Sequence, residues 1–357
     1  MIKLKIGMIS RWNATCGVSV HAELIGREWV RMGHELKIYA PLIESASRDW
    51  HHKLIESKDE PWVTRCYWEP SEGDFGWINP EPILRDNPEI LVIQSHVKLP
   101  TGNLAEITRK VKAKIIAIIH NTSSDEVINL LKARIDVMVV FDERYIREVL
   151  SPHGVDRSRI RIIPYPCPNI KVERKSKPSF ARGKYLFFSF GRQPPREYMD
   201  FINVLRELKR KHDLLYWIVR SNSPLSLDES WIIQLRRRLT LEELLNKIAM
   251  ADLHLIPKGT TNRVVVSSTV YQTIVAPTPI IIRDSRYVED IPTDNQGFGP
   301  VVKYSSTRDL RNKIEVLIED KNAWMRVIRE AQKFAEEHNS RKIALMFIEL
   351  FKELLSE

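Results

Sequence analysis

Short, β-branched apolar runs recur along this chain, each separated from the next by a segment of helical period. That alternation restricts the fold more than any other feature, because it specifies parallel strands joined by crossover helices. Residues 3–9 predict a strand and residues 10–17 a polar loop ending in Cys16-Gly17. Val18, Ala22, Ile25, Trp29 and Met32 then fall on one helical face, Gly33 stops the helix, and residues 36–39 predict the next strand. Residues 44–88 read as irregular, rich in Trp, Pro and acids. Three more buried-strand runs follow at 90–93, 114–119 and 137–141, and three prolines within 164–168 make a stiff exit.

The second half repeats this logic. Strands are predicted at 185–190, 214–219, 253–256 and 280–282, with helices at 197–211, at 241–250, and from Ser267 to near Pro277. The last fifty or so residues read as helical, with a break at Asn339-Ser340 where Ser340 would cap the final helix. At 357 residues, two domains of middling size are expected. These are an N-terminal domain over 1–168 completed by a helix at 340–357, a linker at 169–184, and a C-terminal domain over 185–339. The predicted class is α/β, two Rossmann-like parallel-sheet domains facing a central cleft.

Composition narrows the function classes. No apolar run approaches the ~20 residues that span a bilayer, and the opening segment is too short for a secretory signal. A cytoplasmic protein is expected. Cys16, Cys66 and Cys167 cannot form a closed disulfide framework and predict reduced thiols. The net charge of +9 is uneven: residues 1–170 carry 23 basic and 22 acidic side chains, residues 171–357 carry 32 and 24. Six of the basic residues lie in 171–184, which reads first as a solvated linker and second as a binding patch. A basic half attracts phosphorylated ligands, anionic membranes or nucleic acid. With no recognition helix and no aromatic–basic stacking strip, nucleic acid is not an expected partner.

Candidate site residues follow from strand ends and helix starts. Gly17 sits in a strand–loop–helix turn where backbone N–H groups of Val18 and Ser19 could hold an anion, or it is simply a turn glycine. His120 follows a strand at its carboxyl end, where a neutral imidazole can bond a sugar hydroxyl or a phosphate. A plain structural role is the alternative, for it and for His96. Arg192 and Arg196 follow the first strand of the second half, and guanidinium forks suit phosphate oxygens. Ser267, Ser268 and Thr269 open a helix; one of them suffices as a cap, and the others could face a phosphate. Gln272, one turn on, could reach a ribose hydroxyl. Nothing supports metal ligation: no HxxxH pair occurs, and His51-His52 are adjacent in a loop. Trp50, Trp62, Trp68 and Trp77 could stack on sugars or touch a membrane surface, although packing is the commoner fate of tryptophan.

In order and spacing, these segments resemble glycosyltransferase family 4 from end to end. The resemblance is carried by Ile6-Gly7-Met8-Ile9 through His21, Arg31-Met32-Gly33-His34-Glu35-Leu36, Ile118-Ile119-His120-Asn121 and Ser189-Phe190-Gly191-Arg192. It continues through Leu241 to Ala251-Asp252, Ala276-Pro277-Thr278-Pro279-Ile280-Ile281, and the closing helix from Ser340. It implies a GT-B fold and a nucleoside diphosphate-sugar donor bound by the second half. It also implies an acceptor (glycan, lipid-linked sugar or small molecule) on the first half, transfer with retention, His120 as the catalytic residue, and no metal or other cofactor. Peripheral contact with the inner face of a membrane stays open. Departures are specific. The family's two donor-site glutamates correspond to Val264 and Gln272, and residues 253–282 contain no acid. The family lysine after "GR" is displaced, and its "G-D/E-G" reads Arg220-Ser221-Asn222. A non-catalytic GT-B binding or scaffold protein is therefore the alternative.

Overall fold

The computed structural model describes residues 3–46, 58–71, 75–120 and 122–356. The chain divides into two compact units. Unit 1 comprises Met1–Pro166, Arg263–Ser268 and His338–Glu357; unit 2 comprises Cys167–Asn262 and Thr269–Glu337.

Unit 1 is built on β1 (Lys5–Ile9), β2 (Glu35–Pro41), β3 (Val63–Trp68), β4 (Trp77–Ile78), β5 (Ile90–Ser95), β6 (Lys114–Ile119), β7 (Val137–Val140) and β8 (Ile160–Ile162). Their order across the sheet is β4-β3-β2-β1-β5-β6-β7-β8. All neighbours are parallel except β3 and β4. Every residue of β5 and β7 is buried, as strands covered on both faces require. The helix Gly17–Arg31 buries Ala22, Ile25 and Trp29, the stripe expected from spacing, and Gly33 leaves it at φ +89°. Trp29 packs edge-on against Phe347 and Phe351 of the terminal helix Ser340–Ser356, and its indole N–H donates to the Ala344 carbonyl.

Unit 2 carries β9 (Tyr185–Phe190), β10 (Leu214–Arg220), β11 (Ile232–Arg236), β12 (Leu253–Ile256), β13 (Ile280–Arg283) and β14 (Val302–Tyr304). The order is β11-β10-β9-β12-β13-β14, all parallel. Each sheet thus reverses direction of strand succession once: between β1 and β5, and between β9 and β12. Ligands of open α/β sheets bind at the strand carboxyl ends beside such a reversal.

Several expectations are corrected. The segment 44–88 is not wholly irregular: β3, β4 and the helix Glu81–Asp86 lie in it, while Trp50, His51 and His52 fall outside the described residues. β11 and β14 were also unforeseen. The loop after β1 is polar but not exposed. Ser10, Arg11, Trp12, Asn13 and Ala14 are buried, with Arg11 in a two-pronged ion pair with Glu69 and Asn13 held by Glu23 and Asp59. The final helix is capped by the Asn339 side chain, which accepts from Arg341 and Lys342 N–H; Ser340 is its first residue and is buried. The helix near Ser267 is short, Ser268–Thr273. It ends at Thr273 rather than near Pro277, and Ser267 stands just before it. In the basic tract, Arg174 donates to the Ala251 carbonyl and stacks over Trp324, and both Arg174 and Lys177 pair with Asp252.

Candidate functional site

In unit 1 the candidate residues gather at the carboxyl ends of β5 and β6. Gln94 on β5 is in register with Ile118 on β6, so Gln94 and His120, two residues beyond Ile118, belong to the same face. His120 Nε2 lies 2.6 Å from Gln94 Oε1. The imidazole is ringed by His21 at 4.9 Å and Phe141 at 5.0 Å between centroids, both edge-on. Burial pushes the His120 pKa down to about 3, so the ring is neutral at pH 7. His21, from the helix Gly17–Arg31, is fully buried and lies beside both His120 and Gln94. Burial, and then the neighbouring His120, hold its pKa well below the ordinary histidine range.

Tyr165 links this pair to the glycine loop. Its ring lies 5.2 Å from His21 and its hydroxyl donates to the Gly17 carbonyl at 2.7 Å. A methyl group placed on Gly17 would meet Ser268 Oγ at 2.9 Å, so only glycine allows that approach. Cys16, which precedes the helix, makes no side-chain cap. Gly17, Ser268 and His120 thus share one neighbourhood. Ser267 is fully buried and belongs to the same unit. Its segment is pinned there by Thr122, which donates to the Val264 carbonyl at 3.0 Å, and by Arg144, which donates to the Val265 carbonyl. Val264 itself is buried. His96 is buried, 3.4 Å from the Tyr67 hydroxyl, and its Nδ1 accepts from Lys98 N–H.

In unit 2 the candidates stand at the reversal between β9 and β12. Gly191, directly after β9, has φ +125°, and an added methyl group would strike Gln193 at 2.1 Å. Only glycine fits, and the turn it makes presents Arg192. Arg220, at the end of β10, braces this loop: its guanidinium donates to the carbonyls of Gln193 and Ser223 and lies over the Tyr198 ring. The position where the resemblance placed an acidic motif is therefore a structural clamp. Arg192 is half-buried and Arg196 exposed; Thr269 and Gln272 are half-buried in the same unit.

Lys258 escaped the sequence reading. It follows β12, the strand beside β9, with its ammonium 4.0 Å from the Tyr287 ring centroid. Gly259 lies against Glu197, whose carboxyl bonds its N–H. Burial pushes the Lys258 pKa down to about 8, with Glu197 acting in the opposite sense. Burial raises Glu197 in turn, opposed by Gly259, Arg196 and Lys258. The signal that could have found Lys258 is its place just past a strand at the reversal, which requires the strand order.

No protein-family model matches the chain. Solved structures do match it over nearly its whole length. The Anabaena HepE protein in complex with UDP and glucose superposes with TM-score 0.65 at 12% identity, over 98% of this chain and 100% of that one. An alpha-glucosyltransferase, solved with UDP and a 13-mer DNA containing an HMU base, gives 0.69 at 14% identity over 100% of both chains. A glycosyltransferase from Rickettsia africae gives 0.67 at 14%, over 99% of both.

The fold is GT-B. Two Rossmann-like parallel sheets, each with one reversal of strand order, are what that fold comprises, and the candidate residues stand at strand carboxyl ends in both. Among the described residues no helix is long and apolar enough to cross a membrane.

Proposed function

We propose that this GT-B protein is a divergent family 4-like glycosyltransferase that moves a sugar, with retention, from a nucleoside diphosphate-sugar to an acceptor hydroxyl. The observation that carries this reading is the set of cations that follows adjacent strands at the β9/β12 reversal: Arg192 and Arg196 after β9, and the part-buried Lys258 after β12, with Arg196 and Lys258 both acting on Glu197. Such groups neutralise a departing diphosphate without needing a metal. The complexes of HepE with UDP-glucose and of the alpha-glucosyltransferase with UDP support a uridine nucleotide as the first to test.

In this reading unit 2 binds the donor and unit 1 the acceptor. The bond from the anomeric carbon to the phosphate oxygen breaks, and the bond to the acceptor oxygen forms on the same face. The acceptor proton passes to the leaving phosphate oxygen. His120, neutral at working pH, hydrogen-bonds a sugar hydroxyl and orients the ring rather than exchanging charge.

Thermal unfolding with UDP, GDP, ADP, CDP and TDP tests the donor half, since a ligand of the folded state raises Tm. At least one nucleotide should stabilise the wild type and fail to stabilise Arg192→Ala. No shift with any of the five would overturn the reading. The absence of an acid across residues 253–282 favours one alternative, a binding protein that no longer turns over. Donor hydrolysis that is lost in His120→Ala would exclude it.

A further inference from the structure

Gln94 is a fully buried amide that follows the apolar run Ile90–Ile93 in β5. Burying an amide without satisfying it is costly, so its partners are informative. One end meets His120 Nε2 at 2.6 Å and the other meets Met8 Sδ at 3.6 Å. A thioether sulfur has no proton to give. The amide NH2 therefore faces the sulfur, and the carbonyl Oε1 faces His120. An oxygen acceptor at that distance requires a proton on Nε2. His120 makes no other side-chain hydrogen bond among the described residues, which leaves the Nδ1 lone pair as its accepting atom.

We propose that Gln94 is a positioning residue that locks His120 in the Nε2–H tautomer, so that Nδ1 accepts a hydrogen bond from a hydroxyl of the bound sugar or acceptor. The identity of that hydroxyl rests on the transferase reading above; the tautomer does not. Among the described residues, no other side chain that touches His120 is hydrogen-bonded to it. His21 and Phe141 meet it edge-on and restrict the ring plane, but neither makes a hydrogen bond to it. Met8, one residue before the end of β1, holds the far end of the amide and keeps Gln94 from inverting. Two adjacent strands, β1 and β5, and the residue just past the neighbouring β6 thus form a relay that ends on a single lone pair.

The test is nitrogen-15 histidine NMR of the full-length protein, with the His120 signals assigned by their loss in His120→Asn. At pH 7 the wild type should show protonated Nε2 and unprotonated Nδ1. Gln94→Leu should shift His120 toward a mixture of tautomers, and Gln94→Glu, which keeps an oxygen acceptor, should restore the wild-type pattern. Where a donor turns over, Gln94→Leu should lower kcat by roughly tenfold or more with donor KM little changed, as loss of an orienting contact does. A wild-type His120 protonated on Nδ1, or on both nitrogens, would overturn the proposal, even if Gln94→Leu does not fold. So would a Gln94→Leu protein that keeps both tautomer and kcat. If no donor turns over, the transferase reading fails while the NMR result still decides the role of Gln94.

Discussion

Lys258 shows how one side chain carries both a cost and a use. Its ammonium is part-buried beside the Tyr287 ring and Glu197, and that environment pushes its pKa down to about 8. A bound diphosphate would favour the charged form. Below pH 8 the lysine is already charged and nucleotide affinity should be flat. Above pH 8 binding must draw a proton onto Lys258, so affinity should fall by up to about tenfold per pH unit. Arginine keeps its charge throughout, so Lys258→Arg should flatten the curve to about pH 10. Calorimetric UDP titrations from pH 7 to 10 check this, and parallel curves for the two proteins would remove Lys258 from the site. The histidines, arginines and hydroxyls at strand ends were legible as residue types suited to phosphates and sugars. Lys258 was not, because a Pro-Lys-Gly stretch looks like any loop until β12 is known to lie beside β9. Gln94 was overlooked for the opposite reason: it is a polar residue in an apolar run, the signal was present, and its meaning depends on what β6 places opposite it.

Elements with strong periodicity were readable and elements at sheet edges were not. The buried runs of β5, β6 and β7 advertise themselves because both faces are covered. β3 buries only part of its residues, β11 has none fully buried, and β4 has two residues in all. Edge strands tolerate charge and aromatic residues that disguise them, as Arg236 at the end of β11 does. The terminal helix Ser340–Ser356 was foreseen from the break at Asn339-Ser340 in the helical tail and from the family resemblance, and the structure shows what it is for. Phe347 is fully buried against Trp29, His21 and Phe351. Phe347→Ala removes a large buried ring and should destabilise unit 1 by roughly 3–5 kcal/mol. Amide exchange should quicken in the helix Gly17–Arg31 and in β1, with the strands of unit 2 unchanged. Equal acceleration in both units would mean that they unfold as one, and the helix would then stabilise the whole chain rather than one sheet.

At the scale of the molecule, the repeated alternation of strands and helices was enough to read two parallel-sheet units, and the GT-B expectation came from the resemblance to family 4, although no single motif was specific. The route of the segment Arg263–Ser268 into unit 1 could not be read, because it is fixed by hydrogen bonds from Thr122 and Arg144, more than a hundred residues earlier. The same tertiary burial sets how the protein responds to acid. His254 on β12 is fully buried, donates from Nδ1 to the Phe188 carbonyl at 3.2 Å, and leaves Nε2 unpartnered. Burial pushes its pKa down to about 4, and His120 and His21 in unit 1 are displaced in the same direction. The unfolded chain takes up each of these protons near pH 6.5, and the folded chain does so only at lower pH. Their contribution to stability is therefore fully present above pH 6.5 and is lost as pH falls toward the folded values. For His254 the loss between pH 6.5 and 4 is on the order of 3 kcal/mol. His254→Phe removes the titrating group while filling similar space, so denaturant unfolding of unit 2 should lose that much of its acid dependence. The acid dependence of unit 1, which holds His21 and His120, should stay as it is. A variant whose unit 2 still weakens as steeply as the wild type between pH 6.5 and 4 would place the acid sensitivity in carboxylates instead.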